Sequence, residues 1–327
     1  MKIAVIHDYA DALRKTRAFP KLQGHEVVIY NDPYTDPARV VEQVKGFDTL
    51  LLTQQRVNIT RDILKQLPQL KFISQTGRNV SHLDVKACTD LGILVSAGGH
   101  EGKSPYTVTG ELAWALILAA QRHLPYEVEQ FKQGHWHTTI GTRLNGNTLG
   151  IYSFGRIGSG VARVGRAFGM KVICWGREGS LAKAREEGFE VAESREAFFA
   201  QSDIISLHIL SNDATRGIIT AADLARMKPT ALLVNTSRAP IIEDGALVAA
   251  LKQGRPGFAA VDVFEDEPVL GGNHPLLKMK NALCTPHLGY NEKTSYEAVY
   301  AGGVEQILAY AAGNPVNVLN PEVLAKK

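Results

Sequence analysis

Two doubly wound parallel sheets, one unit inserted within the other, are the α/β architecture that this 327-residue sequence predicts. Three observations predict it. Short apolar runs alternate with helix-compatible segments through most of the chain, which is the βαβ rhythm of a parallel sheet covered on both faces. The rhythm breaks at Ala97-Gly98-Gly99-His100-Glu101-Gly102-Lys103-Ser104-Pro105, a glycine-rich, hinge-like loop. It restarts on Thr148-Leu149-Gly150-Ile151-Tyr152-Ser153-Phe154-Gly155-Arg156-Ile157-Gly158, which reads as an apolar strand, a tight turn and the start of a helix.

The first unit opens with a strand at 2–7, followed by strands at 26–30, 49–53 and 71–75. Polar, helix-compatible segments at 37–45 and 60–67 lie between them. A long helix with a broad apolar face is expected from Val108 to about Arg122, followed by a polar stretch at 133–147. After the strand that begins at Thr148, further strands are expected at 171–175, 203–208, 231–235, 259–264 and 283–286. Helices are expected at 157–168, 180–187, 221–227 and 244–253, with Gly254 capping the last. A closing amphipathic helix at 292–312 is expected to return to the first unit. The boundaries are then 1–100 with 290–327 for one domain, and 101–289 for the other.

Composition excludes several classes. Hydrophobic residues are 45% and charged residues 21%, as in a globular protein. The net charge of +3 is spread along the chain with no basic block and no zinc spacing, so neither a nucleic-acid partner nor a metal is expected. No apolar run reaches the roughly 18 residues that cross a membrane. The N-terminus starts directly on a strand, without the regions of a signal peptide. Cys88, Cys174 and Cys284 are odd in number and far apart, which fits reduced thiols in a cytoplasm.

The segment from Ser153 to Gly158 is an imperfect G-x-G-x-x-G fingerprint in which Ser153 replaces the first glycine. Such a turn presents backbone N–H groups at a helix N-terminus, where a pyrophosphate can sit. Ser153 holds the turn easily at negative φ, whereas a glycine-only conformation would strain it. Three residues follow near later strand ends. His287 lies in Thr285-Pro286-His287-Leu288-Gly289, and imidazole is the natural acid/base near neutral pH. Glu267 lies in Asp262-Val263-Phe264-Glu265-Asp266-Glu267-Pro268, and one carboxylate beside His287 would orient it. Arg238 lies in Asn235-Thr236-Ser237-Arg238-Ala239-Pro240, a fork of donors suited to a 2-oxo carboxylate. Taken singly, they also read as a structural histidine, a solvated acidic loop and a surface arginine.

Together these motifs resemble the D-isomer-specific 2-hydroxyacid dehydrogenase family over nearly the full length. The resemblance is carried by the fingerprint, Asp203-Ile204-Ile205-Ser206-Leu207-His208, the Asn235 to Arg238 motif with Gly245-Ala246-Leu247, the Asp262 to Pro268 motif, and the His287 motif. It implies a flavodoxin-like substrate domain split by a Rossmann-like cofactor domain. It also implies hydride transfer between NAD(P)H and a small 2-oxo acid or D-2-hydroxy acid. By the resemblance, His287 is the proton donor and acceptor, Glu267 its partner, and Arg238 the polariser of the substrate carbonyl. Ser153, Gly155, Arg156, Ile157, Gly158, His208 and Thr236 belong to the cofactor site, and Asp262 partners the nicotinamide carboxamide. Gly77-Arg78-Asn79-Val80 resembles the loop whose backbone N–H groups hold the substrate carboxylate, and Arg56 and Arg78 could meet a second acidic group. The helix after Ser104 and the loop containing Trp136 resemble the family's dimer-forming segment, so a homodimer is expected. With the sequence ending soon after the closing helix, the regulatory tail of many phosphoglycerate dehydrogenases is not expected. Ser153, Leu210, Ala239 and Tyr290 depart from the usual pattern.

Cofactor choice has its own signal in Trp175-Gly176-Arg177-Glu178-Gly179-Ser180. Gly176 stands where NAD-selective members carry an acid, and Arg177 and Ser180 could bind a 2′-phosphate, so NADP is expected over NAD. Arg177 could instead stack on adenine or face solvent, and Glu178 could be a displaced ribose-binding acid. Two other readings compete. One is a non-catalytic dinucleotide sensor of the same fold. The other is an α/β-hydrolase using Ser153, Asp262 and His287, although Ile151 stands where a nucleophile elbow needs a small residue.

Overall fold

The structure is a computed structural model that describes residues 1–98 and 107–326, apart from the side chains of Thr107 and Lys326. From Gly99 to Pro105, the expected hinge-like loop lies outside the described residues. The chain divides into two units, Met1–Ser104 with Glu292–Lys327, and Pro105–Asn291.

The first unit contains β1 (Lys2–Ile6), β2 (Glu26–Ile29), α1 (Pro37–Val44), β3 (Thr49–Leu52), α2 (Arg61–Leu64), β4 (Phe72–Gln75), α3 (Val85–Asp90) and β5 (Leu94–Ala97). All five strands are parallel in the order β2-β1-β3-β4-β5, so the winding reverses between β1 and β3. Every residue of β3, β4 and β5 is buried, as expected of strands covered on both faces. Local signals start the helices. Asp36 accepts from Arg39 N at 3.1 Å ahead of Pro37, and Asp84 accepts from Ala87 N at 2.7 Å.

The second unit begins with α4 (Thr107–Gln121) and α5 (Leu124–Lys132). There follow β6 (Thr148–Tyr152), α6 (Arg156–Ala167), β7 (Lys171–Trp175), α7 (Glu178–Glu186), β8 (Glu190–Val191), α8 (Arg195–Gln201), β9 (Ile204–Leu207), α9 (Ala221–Arg226), β10 (Leu232–Asn235), α10 (Ala246–Lys252), β11 (Phe258–Val261) and β12 (Ala282–Cys284). The seven strands are parallel in the order β12-β11-β10-β9-β6-β7-β8, and the winding reverses between β6 and β9. Alternation along the strands feeds two cores. Leu149, Ile151, Val172, Ile204 and Val234 pack with Trp114, Ile117 and Val161 of α4 and α6. Ile173, Ile205, Leu207 and Leu233 pack on the opposite face with Phe198, Leu224 and Leu251 of α8, α9 and α10. Gly254 follows α10 at φ +70, the left-handed stop read from the sequence. The chain returns to the first unit through α11 (Lys293–Ala311), whose Gln306 and Gly303 carbonyl accept from Ser74 Oγ of β4 at 2.7 and 2.9 Å.

Among the described residues, five α-helices and strands lie outside the sequence reading: α3, β5, α5, β8 and α8. β8 has two residues, and α5 buries none of its side chains, so neither carries a usable apolar period. No helix among the described residues is long and apolar enough to cross a membrane. All three cysteines are free thiols, two buried and Cys284 half-buried.

Candidate active site

A parallel sheet delivers all of its strand ends to one edge, and ligands of such sheets bind beyond those ends where the winding reverses. Residues following β6, β7, β9, β10, β11 and β12 therefore converge on the carboxyl edge of the seven-stranded sheet. They include Ser153, Gly176, His208, Arg238, Asp262 and His287.

Glu267 and His287 are brought together as expected. His287 Nδ1 lies 2.5 Å from Glu267 Oε2, and Phe264 N donates to Glu267 Oε1 at 2.8 Å. Burial pushes the Glu267 carboxyl up. The hydrogen bond and charge of His287, with the Phe264 N–H and the Arg238 charge, outweigh it and hold its pKa below the usual value. An ionised carboxylate only accepts, so Nδ1 carries its proton toward Glu267 and leaves Nε2 for proton exchange. The Tyr290 ring stands edge-on to His287 at 5.4 Å between centroids.

Arg238 is exposed, on a loop held by residues that sequence reasoning did not single out. Buried Asn235 donates Nδ2 to Arg238 O at 3.0 Å and accepts from Ser237 N at 3.0 Å. Ser237 Oγ donates to Leu207 O at 2.8 Å. The spacing Asn-x-x-Arg was the available signal. Ala239, in place of the usual glycine, starts a 3-10 turn and is not among the positive-φ residues, so a side chain is tolerated there.

Asp262 is fully buried and accepts three hydrogen bonds from the His287 loop: Thr285 Oγ1 donates to Oδ1 at 2.6 Å, Leu288 N to Oδ1 at 2.7 Å and Gly289 N to Oδ2 at 2.8 Å. Burial raises its pKa against those hydrogen bonds. A carboxylate so held braces the loop that carries His287. The hydrolase geometry fails on the same bonds, since the His287 ring takes Glu267 and not Asp262.

The glycine turn fits a dinucleotide. α6 starts at Gly155 with no side-chain cap, so its first N–H groups remain for an anion. A Cβ on Gly155 would meet nothing within 4 Å, whereas one on Gly158 would collide with Ser153 O. The first position keeps room for a ligand, and the second lets helix and turn close together. Arg156 and Ile157 form the first helical turn. Thr236 Oγ1 is buried with no hydrogen-bond partner, a polar atom that a bound cofactor could satisfy. Ser153 itself sits at φ +76, the strained alternative named above. His208 is held at about 4 by burial and is therefore neutral at pH 7. Its Cδ2 would lie 3.4 Å from a Cβ on Gly158, behind the turn.

The exposed Arg177 makes no ion pair among the described residues. Glu178 pairs with Arg185 at 2.6 Å on the exposed face of α7. Ser180 Oγ accepts from Phe154 N at 2.6 Å, which ties it to the turn.

The substrate-loop candidates lie in the first unit. Gln55 Nε2 donates to Asn79 O at 3.3 Å, and Asn79 Oδ1 accepts from Ser81 N at 3.0 Å, joining the segments after β3 and β4 around Gly77. The Arg78 stem lies against Gly98, where a Cβ would come within 2.9 Å of Arg78 Cγ. Arg56 donates Nη1 to His7 O and Nη2 to Tyr296 OH at 3.2 Å, and its guanidinium covers the Tyr9 ring at 4.3 Å. Much of its donor fork is thus engaged within the unit.

A doubly wound sheet with this turn at its winding reversal, and a histidine–carboxylate pair beyond its strands, defines a dinucleotide-dependent oxidoreductase architecture. Comparison with known proteins agrees. Residues 114–289 match the model described as "D-isomer specific 2-hydroxyacid dehydrogenase, NAD binding domain". A glyoxylate reductase of Aeropyrum pernix is 39% identical over 311 residues, spanning 90% of this chain and 89% of its own. A D-3-phosphoglycerate dehydrogenase of Synechocystis is 35% identical across 88% of this chain and 52% of its own. The solved structure of a phosphoglycerate oxidoreductase from Vibrio cholerae superposes with a TM-score of 0.87 at 45% identity, covering 96% of this chain and 99% of that one. The chain belongs to the D-isomer-specific 2-hydroxyacid dehydrogenase family and is an NAD(P)-dependent oxidoreductase acting on the CH–OH group of 2-hydroxy acids.

Proposed function

We propose that this enzyme reduces a small 2-oxo acid of the glyoxylate or hydroxypyruvate kind, prefers NADPH, and carries its chemistry on Arg238, Glu267 and His287. The observation that carries the reading is the 2.5 Å pairing of His287 with Glu267 on the same sheet edge as Arg238. When bound, the reduced nicotinamide supplies the hydride. As the substrate carbonyl is reduced, its oxygen gains negative charge, which Arg238 stabilises while anchoring the carboxylate. His287 gives its Nε2 proton to that oxygen, and Glu267 favours the imidazolium that does so. Backbone N–H groups of Gly77, Arg78 and Asn79 are assigned to the substrate carboxylate. Arg78, more exposed than Arg56, is the better candidate for a second acidic group.

NADPH preference rests on Gly176 and Arg177. Gly176 has φ +152, and a Cβ there would lie 3.4 Å from Ser153. An acid at this position would be strained, so the ribose loses its acceptor while exposed Arg177 offers a cation. A homodimer is supported by α5, which buries no side chain, and by Trp136 and Ile140, 73% and 94% exposed. Light scattering that gives a monomer at all concentrations counts against it. The free thiols suit a reducing cytoplasm.

The test is a panel of 2-oxo acids assayed with NADH and NADPH. Turnover of glyoxylate or hydroxypyruvate with the higher kcat/KM for NADPH supports the reading. No turnover across the panel, or a preference for NADH, overturns the corresponding part.

A further inference from the structure

We infer that Ser180 is a positioning residue for the pyrophosphate turn: its hydroxyl holds the Ser153-Phe154 peptide so that Ser153 keeps a conformation suited to glycine. The inference rests on the dinucleotide reading above and deepens it.

Ser153 has φ +76, where an L-residue crowds its Cβ against the backbone. Such strain persists only where neighbours over-determine the conformation. Three contacts do so here. Ser153 N donates to Trp175 O at 2.7 Å, extending the pairing of β6 with β7 by one residue. Phe154 N donates to Ser180 Oγ at 2.6 Å. Ser153 O accepts from Gly155 N at 3.0 Å and lies where only a glycine at 158 leaves room. Two of these three contacts come from the β7–α7 segment. That segment approaches so closely because Gly176 has no side chain, its ideal Cβ position being 3.4 Å from both Ser153 and Ser180 Oγ.

The consequence is mechanical. The segment that meets the ribose end of the cofactor also sets the turn that takes the pyrophosphate. Every nicotinamide dinucleotide has a pyrophosphate, but only NADP has a 2′-phosphate. A positioning role therefore acts on both cofactors equally, whereas a 2′-phosphate contact acts on one. A glycine at position 153 adopts the turn unaided and makes the brace dispensable.

The experiment is a double-mutant cycle of Ser153→Gly and Ser180→Ala, with Ser180→Thr as the variant that retains a hydroxyl. Kd for NADH and for NADPH is measured by calorimetry, and Tm on the cofactor-free proteins. Ser180→Ala is expected to weaken both cofactors by the same factor, about five- to tenfold for one lost hydrogen bond plus released strain. In the Ser153→Gly background the same change should cost less than about twofold, and Ser180→Thr should stay near wild type. The Tm loss from Ser180→Ala should likewise shrink in the Ser153→Gly background. A loss confined to NADPH, or a loss of equal size in both backgrounds, overturns the inference. If the wild type binds neither nucleotide, the proposed function fails, while the Tm cycle still decides the brace.

Discussion

Glu267→Gln keeps the size of the side chain and removes its charge, so it isolates what the carboxylate does for His287. The pair is 2.5 Å apart, and its side chains are 25% (His287) and 31% (Glu267) exposed. It therefore lies between surface pairs, worth at most about 1 kcal/mol, and buried ones. A charge-assisted hydrogen bond of this kind is worth about 1.5–3 kcal/mol, or about ten- to a hundredfold. The sign follows from the charges. Glu267 has a pKa below the usual value, so it is ionised throughout the neutral range and favours the imidazolium. The proposed reduction needs that imidazolium, and the neutral amide of Glu267→Gln gives it no charge to pair with. kcat for 2-oxo acid reduction should fall about ten- to a hundredfold in Glu267→Gln. The assay is kcat at saturating NADPH, with a deuterated nicotinamide to verify that hydride transfer limits the rate. An unchanged kcat under that condition would refute the coupling.

Four further outcomes follow from particular contacts. Arg177→Ala should weaken NADPH about ten- to a hundredfold, by loss of one charge-assisted contact, and NADH little; equal losses in calorimetry would remove Arg177 from cofactor choice. Asp262→Asn turns an amide N–H toward one of the donors it now accepts, at a cost of about 1–3 kcal/mol. It should lower both Tm and kcat with little change in cofactor Kd, whereas a selective loss of cofactor binding would assign Asp262 to the nicotinamide. Arg195→Met strips buried Asp223 of two of the four hydrogen bonds it accepts, those from Arg195 at 2.9 and 2.6 Å, and should cost about 3 kcal/mol in urea unfolding. Burial raises the Asp223 pKa, but Arg195 and Thr220 hold it below the usual value. That contribution is present above the unfolded carboxylate pKa and fades as pH falls through the folded one, so wild type and Arg195→Met should converge in stability in acid.

The fold was readable because parallel strands buried on both faces leave uninterrupted apolar runs, and loops between them carry caps and glycines. Leu50-Leu51-Leu52 and Ile204-Ile205 could hardly be anything else in a chain of alternating elements. α5 was not readable, since its apolar residues Leu124, Tyr126, Val128 and Phe131 are all exposed within the chain and follow no buried period. The pairing of Glu267 with His287 was inferable from motif order, because strand ends of one sheet must meet at one edge. The work done by Asp262 was not, since its three partners lie 23 to 27 residues away in sequence and two of them are backbone N–H groups. The brace made by Ser180 was hidden for the same reason: a hydroxyl near a ribose-binding position does not reveal in the sequence that it accepts from Phe154 N.

Backbone strain ties these observations together. Four non-glycine residues with positive φ follow strands closely: His7 after β1, Gln54 after β3, Ser153 after β6 and His287 after β12. Such residues cost about 1–3 kcal/mol each, and each is fixed by groups from another segment. His7 Nε2 meets Tyr34 O at 2.6 Å, and its carbonyl takes Arg56. Gln54 N donates to Thr76 Oγ1 at 3.0 Å, and Gln54 O accepts from Gln75 Nε2 at 2.9 Å. Ser153 takes Trp175, and the His287 loop takes Asp262. A residue in the β or helical region leaves a strand end by continuing it or by starting a helix. A left-handed residue turns the chain sharply, setting a chosen side chain or N–H group at the sheet edge. Glycine does this without a side chain to offer. At His287 the proposed reacting group is itself the residue at the bend, so under that reading no glycine can serve there, and the strain is held by a buried carboxylate with three hydrogen bonds. Four of the eight non-glycine residues with positive φ among the described residues thus sit at the carboxyl edges of the two sheets, and polar residues that look redundant in the sequence hold them there.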